Sequence, residues 1–153
     1  MEQNYRRTQT TVSLINYHFV FCPRYRRKVL VNEVEQRFKE ILKRICEEND
    51  FKIVALEVMP DHVHVFLNTL PSISPSDIMA KVKRVTSREL RQDFKHLRHL
   101  PSLWTRSFFC STAGNVSSET IARYIAEQKT RGWNRANHRT GQVATYERTN
   151  RFA

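Results

Sequence analysis

Two histidines separated by one residue, His62 and His64, are the first place in this sequence where chemistry could be sited. On a strand, residues i and i+2 point the same way, so both imidazoles would leave one face while Val63 enters the other. Two such imidazoles can hold one metal ion, or they can be a half-buried structural pair. Tyr124 and Gln128 form a second pair, because residues i and i+4 share one face of a helix. A phenol and an amide oxygen would then project together, unless Tyr124 is a core residue in a stripe with Ile121 and Ile125. A third feature is basic charge near aromatics, at Arg24 to Lys28 and again from Lys81 to Arg91. It reads as a phosphate-binding surface in preference to a solvated face.

Other chemistries find less support. No serine sits in a strained, glycine-flanked elbow. Glu57 and Asp61 are the only carboxylates near the histidines, and they make no evident acid–base pair. With three Gly and no GxxxxGK[ST], a glycine-rich phosphate loop is excluded, and nothing in the sequence favours ATP-driven chemistry. Cys22, Cys46 and Cys110 are odd in number and widely spaced, which provides neither a disulfide framework nor a CxxC zinc site. A cysteine nucleophile at Cys110 has nothing to favour it over a buried thiol. A reducing cytoplasm is the expected location.

The elements that must position these residues can be read from periodicity. Thr11 to Phe21 alternates Ile15, Tyr17, Phe19 and Phe21 on one face, which predicts a strand that Pro23 ends. Glu33 to Asn49 places Val34, Phe38, Ile41, Leu42 and Ile45 at helical spacing. Phe51 to Val58 and His62 to Asn68 are two further strands around a Met59-Pro60-Asp61 turn. Ser74-Pro75-Ser76-Asp77 starts a helix, with Ser74 as cap, that runs to about Phe94 and turns Ile78, Val82 and Val85 inward. Leu103 to Thr112 is a fourth strand, followed by a Gly114-Asn115 turn. A last helix, capped by Ser117 or Ser118, ends near Gly132. The order β-α-β-β-α-β-α opens with the split βαβ arrangement of a ferredoxin-like α+β sandwich. It predicts a four-stranded antiparallel sheet with helices on one face, plus the C-terminal helix.

At 153 residues the chain has the length of one domain, with its core at about 11–132 and a tail from 133. Its 26 Lys+Arg against 15 Asp+Glu leave a net charge of +11, which speaks for a polyanionic partner. No apolar run is long enough to span a membrane.

Taken together, these residues resemble a known family. Met59-Pro60-Asp61-His62-Val63-His64-Val65-Phe66 is similar to the His-hydrophobe-His motif of the HUH endonucleases, in the form used by small single-tyrosine transposases of the insertion-sequence-two-hundred type. Leu103 to Gly114 resembles their aromatic strand ending in Thr-x-Gly, and Tyr-Ile-x-x-Gln at 124–128 resembles their catalytic helix. The basic Arg-Tyr-Arg-Arg-Lys after the first strand is also family-like, and the resemblance spans roughly residues 11 to 132.

The resemblance implies a transposase that cuts and rejoins single-stranded DNA at hairpin-bearing element ends. Tyr124 matches the nucleophile, and His62, His64 and Gln128 match the ligands of Mg²⁺ or Mn²⁺. It implies a homodimer in which the tyrosine helix of one subunit can complete the site of the other. Arg24, Arg26, Arg27, Lys28, Lys83, Arg84 and Arg88 are the expected phosphate contacts to the hairpin. Covalent storage of the bond energy in phosphotyrosine agrees with the missing ATP loop. Two other readings stay open: a repeat-associated tyrosine nuclease cutting host palindromes, and a non-catalytic RNA-binding ferredoxin-like module.

Overall fold

The structure is a computed structural model that describes residues 5–112 and 123–127. Four antiparallel strands make the main sheet: β3 (Ile15–Phe21), β4 (Lys52–Met59), β5 (His62–Thr69) and β6 (Phe109–Ser111). A short ribbon of β1 (Arg6–Arg7) and β2 (Val12–Ser13) precedes them. The spatial order β4-β5-β3-β6 is the expected ferredoxin-like one, with the two helix-linked segments interleaved. Helices α1 (Asn32–Glu48) and α2 (Pro75–Asp93) cover one face.

Alternation decides which side chains each face receives. Phe19 and Phe21 of β3 and Val63, Val65 and Leu67 of β5 point to the helices and are fully buried. The α1 stripe of Val34, Phe38, Ile41, Leu42 and Ile45 meets them, as its spacing predicts. Phe38 packs at a tilt against Phe21 and edge-on against Trp104, with ring centroids 6.3 and 5.7 Å away. A Phe38→Ala variant should lose about 3–5 kcal/mol, because an aromatic cavity in a close-packed core is only partly refilled. Urea unfolding at constant m-value measures this, and a midpoint equal to wild type would show the ring to be dispensable.

Helix ends follow local chemistry. Ser74 Oγ accepts the Asp77 amide at 3.1 Å, with Pro75 at the first helical position, as expected. Helix α1 ends with Asp50 at φ 57° and the Phe51 amide bonded to Cys46 carbonyl, which is a left-handed C-terminal stop.

Three details differ from the sequence expectation. The first strand is two: β2 pairs with β1, and β3 begins at Ile15. The ribbon is held by buried Arg6, which donates to Asn68 Oδ1 at 2.5 Å and ion-pairs with Asp50 at 2.9 Å. In α2, Thr86 takes the buried position expected for a neighbour of Val82, and Val85 lies only half-buried. The Thr86 hydroxyl donates to Val82 carbonyl and accepts Trp104 Nε1, so this buried polar group is satisfied.

The fourth strand is only three residues long. Leu103 and Trp104 are core residues, and Trp104 bridges Pro23 beside the end of β3. Pairing with β3 is interrupted between Thr105 and Phe109, and there Lys83 Nζ donates to the carbonyls of Thr105 and Ser107, at 2.8 and 2.7 Å. The Gly114-Asn115 turn, the Ser117 or Ser118 cap, Ile121, Gln128, the Gly132 stop and the tail lie outside the described residues.

Candidate active site

The second face of the sheet carries the candidate chemistry. His62, His64 and Phe66 of β5 project there, as alternation predicts. Register brings β3 residues beside them: Val20 lies opposite His64, and His18 opposite Phe66. On the other side, Glu57 lies opposite His64 and Met59 opposite His62. Residues 123–127 are helical and lie against this face. Tyr124 and Ile125 form a buried cluster with Val20 and Cys22, with Phe109 packed against it. The sheet is thus sandwiched, and the tyrosine and the histidine pair lie on the same side of it.

Each imidazole has a defined partner. His62 Nδ1 is 2.9 Å from Asp61 Oδ1, and Arg26 Nε and Nη2 donate to Asp61 Oδ2 at 3.0 and 2.6 Å. Burial alone would raise the Asp61 carboxyl, but the bonds from His62 and Arg26 outweigh it and hold the group below the ordinary carboxylate value. His64 Nε2 is 3.2 Å from Nδ1 of buried His18, whose ring stacks on Phe66 at 4.1 Å. Burial, and then the neighbouring His18, push His64 below the usual imidazole value, although Glu57 acts the other way. His64 is therefore neutral at pH 7, the form that can donate a lone pair. The Tyr124 hydroxyl is 3.2 Å from Ser107 Oγ.

His62 and His64 on one sheet face are the described side chains whose donor chemistry suits a divalent ion. Asp61 holds His62 through Nδ1, which leaves the Nε2 lone pair to a ligand, whereas His64 Nε2 faces His18 Nδ1, so the His64 nitrogen left for an ion is Nδ1. Among the described residues no group of three His, Cys, Asp or Glu forms a metal site. The thiols are unsuited to nucleophilic work: burial pushes Cys22 and Cys46 up to about 12 and raises Cys110.

Residues 11–128 match the family described as "Transposase IS200 like". The chain belongs to the IS200-like transposases. Over 117 residues it is 32% identical to the ISDra2 transposase TnpA of Deinococcus radiodurans, covering 74% of this chain and 84% of that one. Over 115 residues it is 31% identical to the transposase for insertion sequence element IS200 of Salmonella typhimurium, covering 73% and 75%. A crystal structure of a transposase from Deinococcus radiodurans superposes with a TM-score of 0.75 at 33% identity, covering 80% of this chain and 97% of that one.

In this IS200-like transposase the predicted phosphate contacts fall into three groups. Arg27 and Lys28 are exposed in the loop after β3, close to the Asp61–His62 end of the sheet. Arg24 in the same loop donates to Ser102 Oγ at 2.9 Å, and Arg24 and Arg27 both lie over the exposed Tyr25 ring. Arg84 and Arg88 are exposed on α2, in the helical layer across the sheet from the histidines. Arg26 and Lys83 have internal partners instead, the Asp61 carboxylate and two main-chain carbonyls.

Sequence reasoning singled out His62, His64 and Tyr124 as candidates, which the fold brings to one face, but passed over His18 and treated Asp61 as a turn residue. Strand pairing puts His18 beside His64, and pairing is not visible in a single strand's alternation. Asp61 directly precedes His62, and that adjacency was the available signal. No helix among the described residues is long and apolar enough to cross a membrane.

Proposed function

We propose that the protein cleaves and rejoins single-stranded DNA at the hairpin-bearing ends of its element, through a 5′-phosphotyrosine on Tyr124. One observation supports this above the others. Tyr124 packs against Val20, and Val20 lies directly opposite His64 in the sheet. The nucleophile candidate and the metal-ligand candidates thus meet on one face, although 60 residues part Tyr124 from His64 in the chain.

The chemistry is a double displacement at phosphorus. The Tyr124 oxygen forms a bond to phosphorus, the bond to the 3′-oxygen breaks, and that oxygen leaves as a hydroxyl. Rejoining reverses the exchange: an incoming 3′-hydroxyl takes the phosphorus and the phenol is released. Because bond energy is conserved, no nucleotide triphosphate is consumed. His62 and His64, with Gln128, would hold Mg²⁺ or Mn²⁺, which when bound neutralises charge on a non-bridging phosphate oxygen. Two imidazoles and an amide are softer donors than Mg²⁺ prefers, so Mn²⁺ should serve at least as well. Arg27, Lys28 and Arg24 would grip hairpin phosphates near the His62 end of the sheet. In a homodimer the tyrosine helix can serve its own site or its partner's.

Incubation with single-stranded DNA carrying the element end, followed by proteolysis and mass spectrometry, tests the reading. A Tyr124 peptide carrying a 5′-linked nucleotide is the expected product. An adduct on another residue, or cleavage with no adduct on the trapped enzyme, would remove Tyr124 from the role.

A further inference from the structure

We infer that Asp61, clamped by Arg26, is a positioning residue that fixes the ring orientation and tautomer of His62. The inference rests on the reading of His62 as a metal ligand.

The geometry is a chain of three side chains. The Arg26 guanidinium donates twice to one carboxylate oxygen of Asp61, at 3.0 and 2.6 Å. The other oxygen lies 2.9 Å from His62 Nδ1. The Arg26 and Asp61 side chains are only 19% and 15% exposed, so water competes weakly for either bond. A charged carboxylate can only accept, so Nδ1 carries the hydrogen and Nε2 keeps its lone pair. An imidazole set this way has one nitrogen committed to the protein and the other presented for a ligand.

Two backbone features accompany the clamp. Tyr25 and Arg26 have φ of 60° and 51°, a left-handed pair of non-glycine residues. Such a conformation is unfavourable for bulky side chains and persists only where surrounding contacts over-determine it. Here it aims Arg26 back at Asp61. The turn bearing Asp61 is separately tied down, since the Leu30 amide donates to Pro60 carbonyl at 3.1 Å. The Asp61–Arg26 pair is therefore not needed merely to close the turn. Arg26 belongs to the site's support, whereas its loop neighbours Arg27 and Lys28 remain exposed.

The test uses the full chain and Mn²⁺ alone, titrated by electron paramagnetic resonance. Asp61→Ala should weaken Mn²⁺ binding by about 10–100-fold, the usual cost of losing a partner behind a metal-bound histidine. Asp61→Asn, which keeps an acceptor oxygen, should recover part of that loss. Arg26→Ala, which leaves the turn intact, should weaken binding less than Asp61→Ala. Nitrogen NMR of His62 at alkaline pH gives a second readout that needs no metal. Wild type should show the Nδ1-protonated tautomer, and Asp61→Ala a mixture.

Unchanged Mn²⁺ affinity in Asp61→Ala with His62→Ala impaired would overturn the positioning role and leave the metal site standing. Unchanged affinity in His62→Ala would instead overturn the metal site, and the His62 tautomer in Asp61→Ala would still decide the positioning role. If Asp61→Ala does not fold, Arg26→Ala carries the test: wild-type affinity and tautomer there would refute the clamp.

Discussion

Tyr124→Phe is expected to abolish cleavage of single-stranded element ends while leaving the protein folded and able to bind hairpin DNA. The substitution removes one oxygen and nothing else. That oxygen lies 3.2 Å from Ser107 Oγ, and a single hydroxyl contact of this kind contributes about 1 kcal/mol net. The ring keeps its place against Val20, Cys22 and Ile125, with Phe109 at a centroid distance of 5.9 Å. Thermal unfolding should therefore shift by only a few degrees. Hairpin binding should keep its affinity and its salt dependence, because both come from Lys and Arg contacts to phosphate. Catalysis has no such reserve. Loss of an attacking nucleophile costs on the order of 10⁴–10⁶-fold in enzymes that work through covalent intermediates. Cleavage within tenfold of wild type would mean that another group attacks phosphorus. Loss of hairpin binding together with cleavage would mean that the helix had moved.

This prediction could be framed from sequence because Tyr124 lies on a helical stripe and His62 and His64 on an alternating strand. Periodicity says which residues of one element share a face. The fold followed for the same reason: Val34, Phe38, Ile41, Leu42 and Ile45 leave α1 only one side to bury, and the strand order then limits the sheet to few topologies. Periodicity is silent on which elements neighbour one another. His18 shares a face with Val20 by simple alternation, but its contact with His64 depends on the β3–β5 register. The roles of Arg26 and Lys83 were obscured for a different reason. A positive residue in a basic stretch looks like its neighbours until a carboxylate or a pair of carbonyls is found within reach. The shortened β6 belongs to the same class, since the Lys83 contacts to the carbonyls of Thr105 and Ser107 join two elements and leave no mark on one strand's pattern. Local pattern thus singled out the candidate residues, and long-range partners determined which basic residues are turned inward.

His64→Ala should remove metal-dependent cutting by on the order of 10³-fold, since losing several kcal/mol of charge stabilisation at about 1.4 kcal/mol per decade has that size. The protein should still fold, because His64 is only partly buried and its neighbours Val63 and Val65 fill the opposite face. His18 retains its stack on Phe66 at 4.1 Å, so the sheet face beside the site stays ordered. The same residue predicts the acid limb of the wild-type enzyme. A ligand imidazole must be neutral, and burial together with His18 holds His64 below the ordinary value of 6.5. On the proposed role of His64, protons would compete with a metal there only below the usual imidazole range, and cutting should fall as the pH drops through that lowered value. His64→Gln offers the sharper comparison. It supplies a neutral amide donor that does not titrate, so a weak metal-dependent activity should survive without the His64 contribution to the acid limb. Mn²⁺ titrations of cleavage across pH for wild type, His64→Ala and His64→Gln separate these outcomes. Equal metal dependence in wild type and His64→Ala would place the ion elsewhere. An unchanged acid limb in His64→Gln would assign the titration to another group on the same face.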